Sequence, residues 1–293
     1  MERIVLIGGI GRSGTTLLRQ IVGSHTAIAM PPTEFKFIPR YVRGKQLREI
    51  FSNGQLREWN INFEEFCRLD PKDAFTKTLI GYKESINKTI AGDKTPYYEF
   101  YFEILQDWLR DFDFRFIQII RNPLDVIASL KYFQEGRDYS NAYTVAKNWV
   151  RSASIGTSRN FHNPQQFCLI RYEDLIDNSE KTVEFLCDFL DVDYEIESML
   201  KQINFRNKEN SSFSKNFAPT THFSITNPAS RKHFLSKREV DTVGSICGEV
   251  ALSLGYRDID FISPSPSKSL FQDLKKKIRI ESGSIIGRLI KQR

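Results

Sequence analysis

The stretch IVLIGGIGRSGTTLLRQIV, residues 4–22, governs how the rest of the chain is read. An apolar run at residues 4–7 stops at a cluster of glycines, and helical spacing of apolar residues starts directly after it. A short continuous apolar run ended by glycine reads as a buried strand, so residues 4–7 are expected to be β and residues 15–24 helical. Between them, Gly9-Ile10-Gly11-Arg12-Ser13-Gly14-Thr15-Thr16 has the G-x-x-x-x-G spacing of a phosphate-binding loop, with Thr15 where such loops carry lysine. Gly11 and Gly14 let backbone N–H groups of the loop, Ser13 included, converge on an anion, and the following helix adds its positive end. Thr15 and Thr16 add hydroxyl donors, and Arg12 adds a planar cation suited to oxyanions.

A second strand is expected at residues 114–120, in FRFIQIIRNP. It ends in Arg121, where a phosphate-loop NTPase would carry a magnesium-holding aspartate. A cation there points to a second anionic group rather than to a metal. Asn122-Pro123-Leu124-Asp125 then carries helix-start signals: an N-cap, a proline at the first helical position and an acid three residues past the cap. A third strand is expected at 167–170. The helix after it, 178–190, has Val183, Leu186, Cys187 and Leu190 on one face. Strands alternating with helices predict an α/β fold, a mostly parallel sheet flanked by helices. Residues 42–110 read as largely helical, 203–236 as loops and 240–254 as a further helix. No internal repeat is visible.

The 293 residues are 40% hydrophobic and 27% charged, an ordinary globular composition, and the 23 phenylalanines predict an aromatic-rich core. No apolar run approaches the roughly 20 residues of a membrane-spanning helix. The chain goes from Met1-Glu2-Arg3 into a strand with no signal peptide, which points to a cytoplasmic location. Cys67, Cys168, Cys187 and Cys247 form no C-x-x-C pair, and Cys168 and Cys187 read as buried thiols. His25, His162, His222 and His233 do not pair at helical spacing, so no metal site is expected.

The net charge of +6 resides in residues 261–293, which hold eight basic and two acidic residues; residues 1–260 carry 34 of each sign. A formally neutral body predicts no nucleic-acid partner. The chain divides at this boundary into a domain, 1–260, and a tail, 261–293. The tail opens on a SPSPSKS linker and continues as a basic amphipathic segment with Leu270, Phe271, Leu274 and Ile278 on its apolar face. Such a segment suits either peripheral contact with an anionic membrane, here the inner membrane surface, or packing on the body or a twin subunit.

GRSGTTLL resembles the 5′-phosphosulfate-binding loop of the sulfotransferases that use 3′-phosphoadenosine 5′-phosphosulfate (PAPS). RNPLDVIASL is similar to their 3′-phosphate-binding segment, with Arg121 at a strand end and Ser129 eight residues on. RYEDLIDNSEKTVEFLCDFL and the closing SLGY extend the likeness, which covers residues 3–256 in order. The resemblance implies a nucleotide-kinase-like fold, PAPS as co-substrate, no metal and a hydroxyl-bearing acceptor. The less highly charged sulfuryl group accounts for the missing lysine: aligned N–H groups and fixed cations suffice to stabilise its transfer. A phosphotransferase or NTPase, and a non-catalytic nucleotide-binding module, are the alternative readings.

PPTEFKFIPR is similar to the segment that carries the catalytic glutamate of tyrosylprotein sulfotransferases, and the matching residue is Glu34, the expected general base. His25 is the rival, but it matches a non-catalytic helix-end histidine and is expected to be structural. Lys94, in AGDKTPYY, matches a segment whose lysine stabilises the leaving phosphate, and Arg12 would be the second transition-state cation. Tyr172 stands where the family often has a tyrosine near the adenine. Ser230, Arg231 and Lys232 stand in the late stretch where the family closes basic residues over the 3′-phosphate. Trp149 would either stack on a base or fill the core. The resemblance leaves the acceptor open among peptide tyrosine, sugar, lipid alcohol and small phenol.

Overall fold

The computed structural model describes residues 1–133, 141–204 and 234–257 of the chain. In chain order these form β1 (Arg3–Gly8), α1 (Thr15–Gly23), β2 (Ile28–Ala29), α2 (Phe37–Val42), α3 (Asn53–Glu58), α4 (Phe63–Phe66), α5 (Pro71–Ser85) and β3 (Ile90–Lys94). A 3₁₀ turn at Tyr98–Tyr101 leads to α6 (Phe102–Trp108), β4 (Asp113–Ile120), α7 (Pro123–Phe133), α8 (Ala142–His162) and β5 (Phe167–Arg171). The remainder is α9 (Tyr172–Asp177), α10 (Ser179–Leu190), α11 (Ile196–Asn204) and α12 (Lys237–Ser253). The expected late-loop residues Ser230, Arg231 and Lys232, and the tail from 261, lie outside the described residues.

The five strands form one parallel sheet in the order β2-β3-β1-β4-β5. The expected mostly parallel α/β architecture is present, with two strands more than the sequence reading recognised. β2 has only two residues, too few to show a pattern. β3, IAGDK, corrects the reading of 42–110 as largely helical. It has two apolar side chains in five residues, yet every residue is buried between β1 and β2. Gly92 sits where a Cβ would come within 2.7 Å of Met30 Cε and 2.9 Å of the Val5 carbonyl oxygen. This close approach excludes the β-branched side chain that would have advertised a strand.

The period of two along each strand sorts the core into layers. On one face Ile4, Leu6, Phe114, Phe116 and Phe167 join Phe35, Phe37, Phe66, Phe75 and Phe102. This is the aromatic-rich core expected from composition, and it includes a stacked Phe116–Phe167 pair at 5.0 Å. On the other face Val5, Ile7, Ile117 and Ile119 meet Leu18 and Ile21 of α1 and Val183, Leu186, Cys187 and Leu190 of α10, the stripe read from the sequence. A third cluster packs α7, α8 and α12 around Trp149, which is fully buried and fills the core. Each such buried aliphatic or aromatic side chain contributes roughly 1.5–3 kcal/mol.

Candidate active site

Strand order reverses at β1: the chain first runs to the edge as β2 and returns beside β1 as β3, then crosses to β4 and β5 on the other side. Open parallel sheets bind ligands at the carboxyl ends of their strands beside such a switch point. Residues 9–16 follow β1, Glu34 follows β2, Lys94 ends β3, Arg121 follows β4 and Tyr172 follows β5. The expected site residues among those described therefore all belong to this one edge of the sheet.

The loop after β1 is shaped by backbone demands. Gly9 has φ 136°, and a Cβ there would fall 2.4 Å from the Ile119 carbonyl oxygen. Gly14 has φ 97°, caps α1 without a side chain, and would drive a Cβ to 2.4 Å from Tyr172 Cδ2. With no side-chain cap, the first-turn N–H groups of α1 are left to meet an anion. Arg12 itself is left-handed at φ 77°, a conformation costly for a residue with a Cβ. The Ser13 hydroxyl oxygen is buried in this loop with no hydrogen-bond partner among the described residues. From below, buried Glu99 accepts from Gly9 N–H at 2.8 Å and from Ser152 Oγ at 2.6 Å.

Arg12, Arg121, Ser129 and Tyr172 come together on one flank. Arg12 Nε donates to Ser129 Oγ at 3.1 Å, and Arg121 Nη1 donates to the Arg12 carbonyl at 3.2 Å. The Arg121 guanidinium lies 4.4 Å from the centre of the Tyr172 ring. The N-cap read from the sequence is present, since Asn122 Oδ1 accepts from Leu124 N–H at 3.0 Å. Trp149 Nε1 donates to the Arg121 carbonyl at 2.8 Å. Glu173 accepts from Asn122 N–H at 2.9 Å and from Tyr256 at 3.1 Å, so the SLGY segment props the same turn.

On the other flank Lys94 Nζ meets Glu34 Oε1 at 2.5 Å, and Lys36 Nζ meets Glu34 Oε2 at 3.0 Å. Burial raises the Glu34 carboxyl, but the two lysines outweigh it and hold it below the usual carboxylate range. Burial lowers the Lys94 ammonium, more than Glu34 raises it. Arg19 of α1 adds to the lowering and donates to the Pro31 carbonyl at 2.6 Å. Lys94 is the last residue of β3, paired with Ile7, and Thr95 N–H donates to the Ile7 carbonyl at 3.2 Å. That register sets Lys94 against the base of the loop.

His25 is kept apart from this chemistry. It follows the nine residues of α1, about 13 Å of helix from the loop. Its Nδ1 accepts from Ala27 N–H at 3.0 Å and its Nε2 lies 2.9 Å from the Asp193 carbonyl oxygen, which puts the ring proton on Nε2. Sequence reasoning missed Lys36, Arg19, Asp93, Thr95 and Glu99. Lys36 stood within reach of it, two residues past Glu34; the others carry no local signal. Among the described residues no cluster of three or more His, Cys, Asp or Glu side chains is arranged to hold a metal.

The model of the family described as "Sulfotransferase family" matches residues 5–196. A Caenorhabditis briggsae relative named "Putative protein-tyrosine sulfotransferase" is 23% identical over 277 residues, covering 93% of this chain and 94% of its own. The sulfotransferase domain of the Synechococcus PCC 7002 olefin synthase superposes with a TM-score of 0.58 at 20% identity, over 87% of this chain and 96% of that domain. Mouse sulfotransferase SULT7A1, complexed with PAP, gives a TM-score of 0.51 at 14% identity, over 88% and 89% of the two chains.

Proposed function

The chain belongs to the sulfotransferase family, and from that premise we propose that it moves a sulfuryl group from PAPS onto a hydroxyl-bearing acceptor, with Glu34 as general base. The observation that carries the reading is the gathering of one anion-binding loop, one carboxylate–lysine pair and one arginine–serine pair at the carboxyl edge of the sheet. The residues fit the proposed donor. Uncapped N–H groups of α1 and the unpartnered Ser13 hydroxyl suit the 5′-phosphosulfate, with Gly11, Gly14, Thr15 and Thr16 shaping the same cradle. Arg121 and Ser129, on the adjoining flank, suit the 3′-phosphate, and Tyr172 offers an aromatic face beside them.

In the proposed reaction the acceptor oxygen forms a bond to sulfur as the bond from sulfur to the 5′-phosphate oxygen breaks. The acceptor proton passes to Glu34, and the leaving oxygen takes the electron pair, stabilised by Lys94 and Arg12. The products are a sulfate ester and adenosine 3′,5′-bisphosphate. The carboxylate of Glu34 is ionised at neutral pH and ready to accept, and engagement of Lys94 by the leaving phosphate would release Glu34 from its strongest partner. Tyrosine, named for the nematode relative, is the first acceptor to test.

Sulfur-labelled PAPS incubated with a tyrosine-containing peptide, a sugar and a small phenol, in excess EDTA, tests the reading. Label should pass to one acceptor class without added metal. Glu34→Gln should keep the affinity for adenosine 3′,5′-bisphosphate and lower turnover by about 10²–10⁴, the range for loss of a general base. Preference for ATP, or turnover that EDTA abolishes, would overturn it in favour of phosphoryl transfer.

A further inference from the structure

We propose that Asp93, acting with Thr95, is the positioning residue that sets the Glu34 carboxylate against Lys94; the inference rests on Glu34 being the base. Residues 93–95 run along the end of β3 and hold the segment after β2 at three places. Lys94 takes the Glu34 side chain at 2.5 Å. Asp93 Oδ1 accepts from the backbone N–H of Phe35, the residue after Glu34, at 3.3 Å. Thr95 Oγ1 accepts from the backbone N–H of Lys36 at 3.1 Å. The backbone just beyond the base is thus tied down by two side chains that flank the lysine it meets.

The surroundings of Asp93 fit positioning better than solvation or direct chemistry. Its side chain is fully buried, and Oδ2 accepts from Tyr98 at 2.6 Å and from Thr95 Oγ1 at 3.0 Å. Burial of a carboxylate is costly, and it raises the Asp93 carboxyl even against these donors. A strand could be closed here with an apolar residue; the carboxylate gives the sheet a directional acceptor for the Glu34 segment instead. Lys36 has a left-handed backbone at φ 52°, a turn that suits the return of its ammonium to Glu34 Oε2 at 3.0 Å. Thr95 fixes the N–H of that strained residue. Loss of either side chain frees the base to drift, and a displacement near 1 Å at a reacting group costs on the order of 10²-fold in rate.

The test is a double-mutant cycle on the full chain. Turnover is read as release of adenosine 3′,5′-bisphosphate from PAPS, with a tyrosine-containing peptide as acceptor and with water as acceptor in its absence. Asp93→Asn keeps the shape and should lower kcat by about 10- to 100-fold. Binding of adenosine 3′,5′-bisphosphate, measured by calorimetry, should stay within about threefold. Residues that act as a unit are non-additive, so in the Glu34→Gln background Asp93→Asn should cost less than about threefold more. Thr95→Val should lower kcat and Thr95→Ser should restore it. If Glu34→Gln keeps full turnover, the base assignment fails. If Glu34→Gln is impaired but Asp93→Asn leaves kcat intact, or adds its full loss to Glu34→Gln, positioning is overturned while the base stands. Should Asp93→Asn not fold, the threonine pair decides: equal kcat for the Val and Ser variants overturns the proposal.

Discussion

At the scale of single residues the chemistry turns on how charges are paired. Burial raises Glu34, Lys94 and Lys36 together outweigh that, and the carboxyl settles below its ordinary range. Burial lowers Lys94 despite its partner. On the proposed mechanism the active forms are ionised Glu34 and protonated Lys94. Activity should therefore persist as pH falls through about 4.3, the ordinary glutamate value, and fail only below it. It should decline on the alkaline side before about 10.4, the ordinary lysine value. The two limbs of kcat/KM belong to the coupled pair rather than to either residue. Lys36→Gln removes one of the two cations and should move the acid limb upward; an unmoved limb would show that another group titrates. Arg121, stacked on Tyr172 and bonded to the Arg12 carbonyl, makes a separate prediction. Arg121→Ala should weaken adenosine 3′,5′-bisphosphate binding by about 1.5–3 kcal/mol, the value of a charge-assisted hydrogen bond. Calorimetry should also show that the variant discriminates less against adenosine 5′-phosphosulfate.

At the scale of elements, the loop between β1 and α1 is held in shape by what its glycines lack. Gly14 combines φ 97° with a Cβ site already filled by the Tyr172 ring. Gly14→Ala costs about 1–2 kcal/mol for the left-handed backbone alone, before Tyr172 moves. Because Tyr172 lies against Arg121, the displacement reaches the residues proposed to hold the 3′-phosphate as well. The variant should lose at least tenfold in adenosine 3′,5′-bisphosphate affinity by calorimetry; unchanged affinity would mean that the loop does not grip the nucleotide. β3 is the second decisive element. It is a central strand with little hydrophobic character of its own, and it carries the lysine of the site at its end.

At the scale of the whole molecule, parallel strands in the order β2-β3-β1-β4-β5 bring residues distant in sequence to one edge. The phenylalanine-rich layer supports that sheet from one side, with Phe116 buried and stacked on Phe167 at 5.0 Å. Phe116→Ala should cost about 3–5 kcal/mol of stability through lost burial and the cavity left behind. Urea unfolding should show the midpoint fall, with adenosine 3′,5′-bisphosphate binding retained below the transition, because Phe116 belongs to the core layer opposite the one that holds α1. A loss under about 1 kcal/mol would contradict the packing described.

The amino-acid sequence by itself determined the elements whose signals are local. The strand–glycine–helix transition at residues 4–22, the Asn122 cap and the α10 stripe are each written within one or two turns of chain. Glu34, Lys94, Arg12, Arg121 and Ser129 stood out as site candidates through the motifs that contain them. Only the tertiary structure decided that IAGDK is a strand, because its burial comes from neighbours on both sides rather than from its own side chains. The same holds for the partners of the site. Glu34 and Lys94 are 60 positions apart, and Arg12 and Ser129 are 117 apart. Asp93 carries no local signal in the sequence; in the fold it is a buried acceptor for the N–H of Phe35. Hydrophobic period and turn chemistry act over a few residues, whereas the pairing of buried charges is fixed by strand order and register. That ordering exists only once the chain has closed on itself.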